Sequence, residues 1–450
     1  MEYTIDPQEH ERQIREVVEG WHGQGVKYVR FELPDMHGTS RSKLIPLDQA
    51  VKYATKGVNM YGGTVTLDTA SEVVGGTKYN EEINYADQLL IPDPSTGAII
   101  PWEPTQARFI CYTRFYDGTF LGAAPRNVLR SVLDKFGELG YDAMIGLEYE
   151  FYLLDQERKP YFGGLHIFNT IRNATYTPLI LEIMDEMPKI GVDMITANCE
   201  YAPSQFELNF SPGRGMVGAD KAFTFKNGVK EMATQADMLA TFMTKPFAES
   251  AASGSHVHVS LLDQHTGENA MFDPADPDGA GDVLRYFIAG QLKHAKAMMA
   301  LMAPTPNCYK RFVPHHFAPS NISWGIEDRT AMVRVKGGLD ASKHVENRLP
   351  TAISNPYLVA AAALAAGYSG LVSKELPPVP SVGPSEEDPS LEPLPATLAE
   401  ALVALENDSL MRDILGDEFI EVFTTVKRYE IARFAAYVTD WERDEYMEVH

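Results

Sequence analysis

Ile145-Gly146-Leu147-Glu148-Tyr149-Glu150-Phe151-Tyr152-Leu153-Leu154 is the stretch on which the reading of this chain turns. Branched and aromatic residues dominate it, which predicts a strand buried over most of its surface. Side chains two apart on a strand share a face, so Glu148 and Glu150 project together from an otherwise apolar element. Two like charges side by side in a buried setting are costly unless a cation or a proton compensates them. The pair therefore marks a place where chemistry is expected.

Composition narrows what that chemistry serves. The 450 residues suffice for a large core and for more than one domain, and 44% hydrophobic with 22% charged residues is ordinary for a globular enzyme. A net charge of −23 argues against a nucleic-acid or membrane-surface partner. Cys111, Cys199 and Cys308 are far apart, so neither a disulfide framework nor a zinc site is indicated. Met1-Glu-Tyr-Thr-Ile-Asp6 has no basic region or apolar core, and the longest apolar run, around 358–366, stops at Gly367. A cytoplasmic protein is expected.

Outward from the central strand, the first 117 residues read as a small, mostly β domain, opened by a helix capped at Asp6-Pro7. Residues 118–450 form the larger unit. There Ala124-Pro125 starts a helix, another spans 176–188, and one strand runs from Val192 through Phe210. Long helices follow over 219–241 and 282–302, with a strand between them at 253–262. Met298, Met299 and Met302 read as core filler. The Pro-rich stretch 376–395 reads as an exposed loop and the last fifty residues as helical.

Four segments carry acids or histidines unsuited to a core: Glu148/Glu150, Glu200/Glu207, His256/His258, and Glu346. Carboxylates with a histidine suit Mg²⁺ or Mn²⁺ better than zinc. Arg311, Arg329, Arg334 and Arg348 accompany them, and divalent metals with arginines are the usual equipment for moving a phosphoryl group. No GxxxxGK[ST] loop is present.

Glu148-Tyr-Glu150, Glu200-x-x-Pro-x-Gln-x-Glu207, Gly254-Ser-His256-Val-His258-x-Ser260, Tyr309-Lys-Arg311-x-Val-Pro, Asp328-Arg329-Thr-Ala and Glu346-x-Arg348-x-Pro, in that order and spacing, resemble the glutamine synthetase family along essentially the whole chain. The resemblance implies an α+β fold, with a small N-terminal β-grasp domain and a catalytic domain built on a curved antiparallel sheet with helices. It implies two or more Mg²⁺ or Mn²⁺ ions per site, one held by Glu150, Glu200 and Glu207, the other by Glu148, His256 and Glu346. It implies ATP as co-substrate, with His258, Ser260, Arg334 and Lys343 at the nucleotide and Arg329 beside Arg334 at the phosphate. Glutamate would meet Arg311, Arg348, Glu150 and Ala252, although Ala251-Ala252 replaces the family's Asn-Gly and one contact is lost. It implies formation of an acyl phosphate on the γ-carboxylate, then attack by an amine.

Departures from the family bear on that amine. Gly62, after Tyr61, stands where ammonia-using members carry an Asp; Phe317 stands where the flap carries a Glu; Leu165 stands where a Tyr is expected. Without those acids the pocket neither binds ammonium nor deprotonates it. A neutral arylamine needs no such pair and packs on Phe317, Tyr61 or Trp324. The reading is a glutamate–arylamine ligase similar to the γ-glutamylanilide synthetases of aniline degradation. The alternatives are γ-glutamylation of a polyamine, ethanolamine or another alkylamine, then ordinary glutamine synthesis, then an inactive structural relative. His315 or His316 is expected to take the proton released after attack. The resemblance further implies a homo-oligomer, a dodecamer, with each active site between two subunits.

Overall fold

The computed structural model describes residues 6–164, 167–170, 177–336 and 340–449. Asp6 opens the first helix, Pro7–Trp21, by accepting from the Gln8 amide at 3.0 Å, with proline in the first turn as expected. Its buried face, Ile14, Val18 and Trp21, packs on a six-stranded sheet. That sheet comprises β1 (Tyr28–Pro34), β2 (Ser40–Pro46), β3 (Val58–Tyr61), β4 (Asp87–Pro92), β5 (Ala98–Ile99) and β6 (Gln106–Arg114). Its order is β2-β1-β6-β4-β3 with β5 on β6, and only β1 and β6 run parallel.

The second sheet has nine strands: β7 (Tyr141–Leu154), β8 (Met194–Cys199), β9 (Gln205–Phe210), β10 (Gly213–Arg214), β11 (Leu239–Thr241), β12 (Val257–Asp263), β13 (Trp324–Ile326), β14 (Val333–Val335) and β15 (Val345–Asn347). Seven run in the order β13-β14-β15-β12-β7-β9-β8, β10 and β11 each pair with β7 off this path, and all pairs are antiparallel except β13 with β14. β7 lies near the middle, as its composition predicts. Leu147, Tyr149, Phe151 and Leu153 are buried on one face, where Tyr149 packs against Phe210, Phe225 and Phe242. The alternation leaves Glu148 and Glu150 on the other.

Several boundaries differ from expectation. The stretch 192–210 is a hairpin, because Glu200 NH donates to Gln205 O at 2.8 Å and Ser204 takes a φ of 62°. The helix expected over 219–241 covers Met216–Gln235; Asp237, at a φ of 56°, turns the chain into β11 against β7. The helix expected over 282–302 breaks at His294, which bonds Asp408 at 2.6 Å and Ser369 at 2.9 Å. All three methionines after that break are buried. Helix Pro356–Ser373 is long and apolar enough to cross a membrane, more than the sequence reading allowed, but 83% of it is buried and it serves as a core helix. The 376–395 loop is largely exposed yet pinned, since Trp324 Nε1 donates to Pro378 O at 2.8 Å. Trp324 is thereby buried in β13 and unavailable to an amine.

Buried polar contacts join the two sheets. Arg126 is 1% exposed and bonds Asp93, at the end of β4, and Asp220, on the Met216–Gln235 helix, each at 2.8 Å. Asn355 caps the core helix and donates to Asp35 O at 2.8 Å.

Candidate active site

The antiparallel register of β7 with β9 sets Glu150 opposite Glu207, and the hairpin turn brings Glu200 to the same side. Neighbouring β12 and β15 set His258 opposite Glu346. Glu148, His258 and Glu346 place ligand-capable atoms within 4.8 Å of one another, the one such set found among the described residues. His256 Nδ1 joins them, 3.2 Å from Glu148 Oε2 and 3.6 Å from Glu346 Oε1. Both histidines thus reach the carboxylates to which the family resemblance assigned His256 alone.

The electrostatics divide the carboxylates. Burial works to raise the Glu148 carboxyl, but the His258 and His256 imidazoles overcome it and hold it well below the usual range. Burial likewise opposes ionisation of Glu346, yet His256, Arg348 and His258 bring it down to about 2. Glu200 and Glu207 lack such company. Burial and then Glu150 push Glu200 up to about 7. Burial, followed by Glu148, Glu150 and Glu200, pushes Glu207 up to about 8. Glu150 accepts from Gly254 NH at 2.9 Å and Gln205 Nε2 at 3.2 Å.

This donor set fits hard divalent cations. Glu150, Glu200 and Glu207, expected as the second ligand set, repel one another but do not close to the spacing of Glu148, His258 and Glu346; a divalent charge among them would compensate that repulsion. His258 Nε2 lies 3.1 Å from Glu148 Oε1, so a nitrogen and a carboxylate ligand come to one point.

The arginines surround this cluster. Arg334 donates to Glu346 Oε2 at 3.0 Å and also pairs with Glu327; Arg348 pairs with Glu346 and donates to Phe317 O at 3.2 Å. Arg311 donates to Arg348 O at 3.1 Å, and burial lowers its guanidinium to about 10. The Nε atoms of Arg334 and Arg348 are buried with no hydrogen-bond partner among the described residues. Arg329 is exposed and offsets part of the Glu200 shift. Ser260 follows His258 on the same face of β12. Lys343 is buried and donates to Lys336 O at 3.0 Å. The Ala252 carbonyl accepts from Gln205 at 3.2 Å.

At the flap, Phe317 is half exposed and stacks on Tyr201, centroids 5.9 Å apart at 24°. His315 Nδ1 lies 3.6 Å from Glu386, and His316 bonds Pro314 O at 3.0 Å; both are exposed. Tyr61 ends β3 of the N-terminal sheet, where it bonds Asn80 and packs near Tyr85, and Gly62 opens the short 3-10 helix Gly62–Thr66 that follows. Leu165 falls outside the described residues. Sequence reasoning missed Gln205 as the support of Glu150, Tyr201 as the partner of Phe317, and His344, whose ring lies 5.1 Å from that of His258. Only Gln205 carried a signal, its place between two acids in the hairpin motif.

Residues 122–446 match the family profile described as glutamine synthetase, catalytic domain. The chain is 32% identical to a glutamate–isopropylamine ligase of a Pseudomonas species, over 98% of this chain and 99% of that one. It is 34% identical to a glutamine synthetase of Halobacterium salinarum, over 96% of each. A solved GmaS–ADP complex superposes with a TM-score of 0.86 at 29% identity, covering 96% of this chain and 99% of that one. The carboxylate-lined sheet, the arginines around it and these likenesses lead to one conclusion: the chain is an enzyme of the glutamine synthetase family.

Proposed function

We propose that the protein joins the γ-carboxylate of glutamate to an amine other than ammonia, using ATP and passing through a γ-glutamyl phosphate. The observation that carries this reading is the phenyl ring of Phe317 stacked on Tyr201, at the position where the family resemblance leads one to expect a flap carboxylate in ammonia-using members.

Glu148, His256, His258 and Glu346 would hold one divalent ion, and Glu150, Glu200 and Glu207 another. Bound ions neutralise phosphate and carboxylate oxygens so that two anions can meet. Arg311 and Arg348, both buried, orient the amino acid's carboxylate as forked donors. Arg334 and Arg329 face the transferring phosphate, with Ser260 and Lys343 beside the nucleotide. A neutral arylamine needs no base before attack, and the proton it loses afterwards passes to His315 or His316. An aromatic amine is our first reading of the substrate. A small alkylamine is the second, favoured by the similarity to an isopropylamine ligase. The chain acts as a homo-oligomer in this proposal, with residues 1–117 forming a separate domain that brings Tyr61 and Gly62 to the amine pocket of another copy.

The test is ADP release with glutamate, ATP and Mg²⁺ against ammonium, aniline, isopropylamine, ethanolamine and putrescine. Turnover with an apolar amine well above that with ammonium is expected. Turnover with ammonium alone would overturn the proposal.

A further inference from the structure

Tyr201 and Phe317 are large aromatic residues that the fold leaves 45% and 50% exposed, stacked on each other. They come from separate elements, the β8–β9 hairpin turn and the flap. An aromatic pair normally closes a core or an interface; this one keeps its outer faces open beside the carboxylates.

Both rings are tied to the site through their backbones. Tyr201 NH donates to Glu200 Oε2 at 3.2 Å, which places the tyrosine one residue from a proposed metal ligand. Phe317 O accepts from Arg348 Nη2 at 3.2 Å, and His315 NH donates to Glu386 Oε2 at 2.7 Å. Phe317 and His315 take φ values of 53° and 65°, in a left-handed region that non-glycine residues rarely occupy. Bonds at both ends of the flap hold this strained segment so that the phenyl meets the tyrosine. Core filling does not account for the strain, because neither ring is in the core.

We infer that Tyr201 is a specificity-determining residue, forming with Phe317 the aromatic wall on which the apolar substituent of the amine packs. The inference rests on the glutamate–amine ligase reading and adds a residue and a substrate property to it. A methyl-bearing or aryl amine covers the open ring surface; ammonium covers none.

The experiment compares wild type, Tyr201→Ala and Tyr201→Phe by steady-state kinetics with ammonium, methylamine, isopropylamine and aniline. Tyr201→Ala should raise the KM for isopropylamine and aniline about tenfold and flatten the dependence of KM on amine size, with the KM for ATP unchanged. Tyr201→Phe should restore the wild-type KM, since the ring and not the hydroxyl makes the contact. If the alanine variant does not fold, Tyr201→Leu carries the same test, with the larger loss expected for aniline. Wild-type turnover of isopropylamine with an unchanged KM in the folded alanine or leucine variant would overturn this inference alone. Wild-type turnover of ammonium alone would overturn the ligase reading and this inference with it.

Discussion

Glu207, proposed above as a metal ligand, shows how burial and neighbouring charges act on a single side chain. Its carboxyl is raised to about 8, chiefly by burial and then by the charges of Glu148, Glu150 and Glu200, whereas an unfolded glutamate titrates near ~4.3. Between those two values the native state keeps a proton that the unfolded state has lost, so this site's contribution is fully present below pH ~4.3, declines as pH rises, and is gone above about 8. Without divalent metal, Glu207→Gln should match wild type at pH ~4 and melt at an increasingly higher temperature than wild type as pH rises to ~9. With Mn²⁺, wild type should gain more than the variant. Parallel melting curves would remove Glu207 from the cluster. The flap gives a second prediction: Phe317→Glu should reduce use of apolar amines about tenfold or more and introduce ammonium turnover, read by the same ADP release. The acids were legible in the sequence because a carboxylate on an apolar strand is conspicuous. Tyr201 was not, because nothing local distinguishes a tyrosine that stacks across the chain from one that faces water.

At the scale of elements, β7 was legible because its alternation is strict, while the hairpin at 200–204 was masked by apolar residues on both sides of the turn. The break at His294 was illegible for a different reason: the helical pattern runs through it, and the contacts that interrupt it come from Asp408 and Ser369, far along the chain. The segment leading into β12 gives a test of element placement. A Cβ on Gly254 would stand 2.8 Å from Arg311 Nη2 and 3.3 Å from His256 Nε2. Arg311 is buried and bonded to the Arg348 carbonyl, so its guanidinium would have to shift. Gly254→Ala should raise the KM for glutamate about tenfold while changing that for ATP little. Equal effects on both would place Arg311 away from the amino acid.

The whole molecule depends on the join between its two sheets. Arg126 meets Asp93 from one and Asp220 from a helix packed on the other, with Tyr112 beneath its guanidinium at 4.0 Å. Removing it leaves two carboxylates without their partner, a loss of about 3–5 kcal/mol for a broken buried pair. Arg126→Ala should lower the melting temperature by several degrees, and an unchanged value would show that this contact does not hold the sheets together. An early β-rich region was legible from its short strands and Gly-rich turns, and the second sheet from the family resemblance. The contacts that fix one sheet against the other were not, since Arg126, Asp93 and Asp220 each read alone as a surface charge. The central claim, that a metal-binding carboxylate cluster is paired with an amine site stripped of acid, is tested most directly by competition. Protein, glutamate, ATP and Mg²⁺ with equimolar ammonium, isopropylamine and aniline should yield predominantly the γ-glutamyl derivative of an apolar amine by mass spectrometry. Glutamine as the sole product would contradict the account.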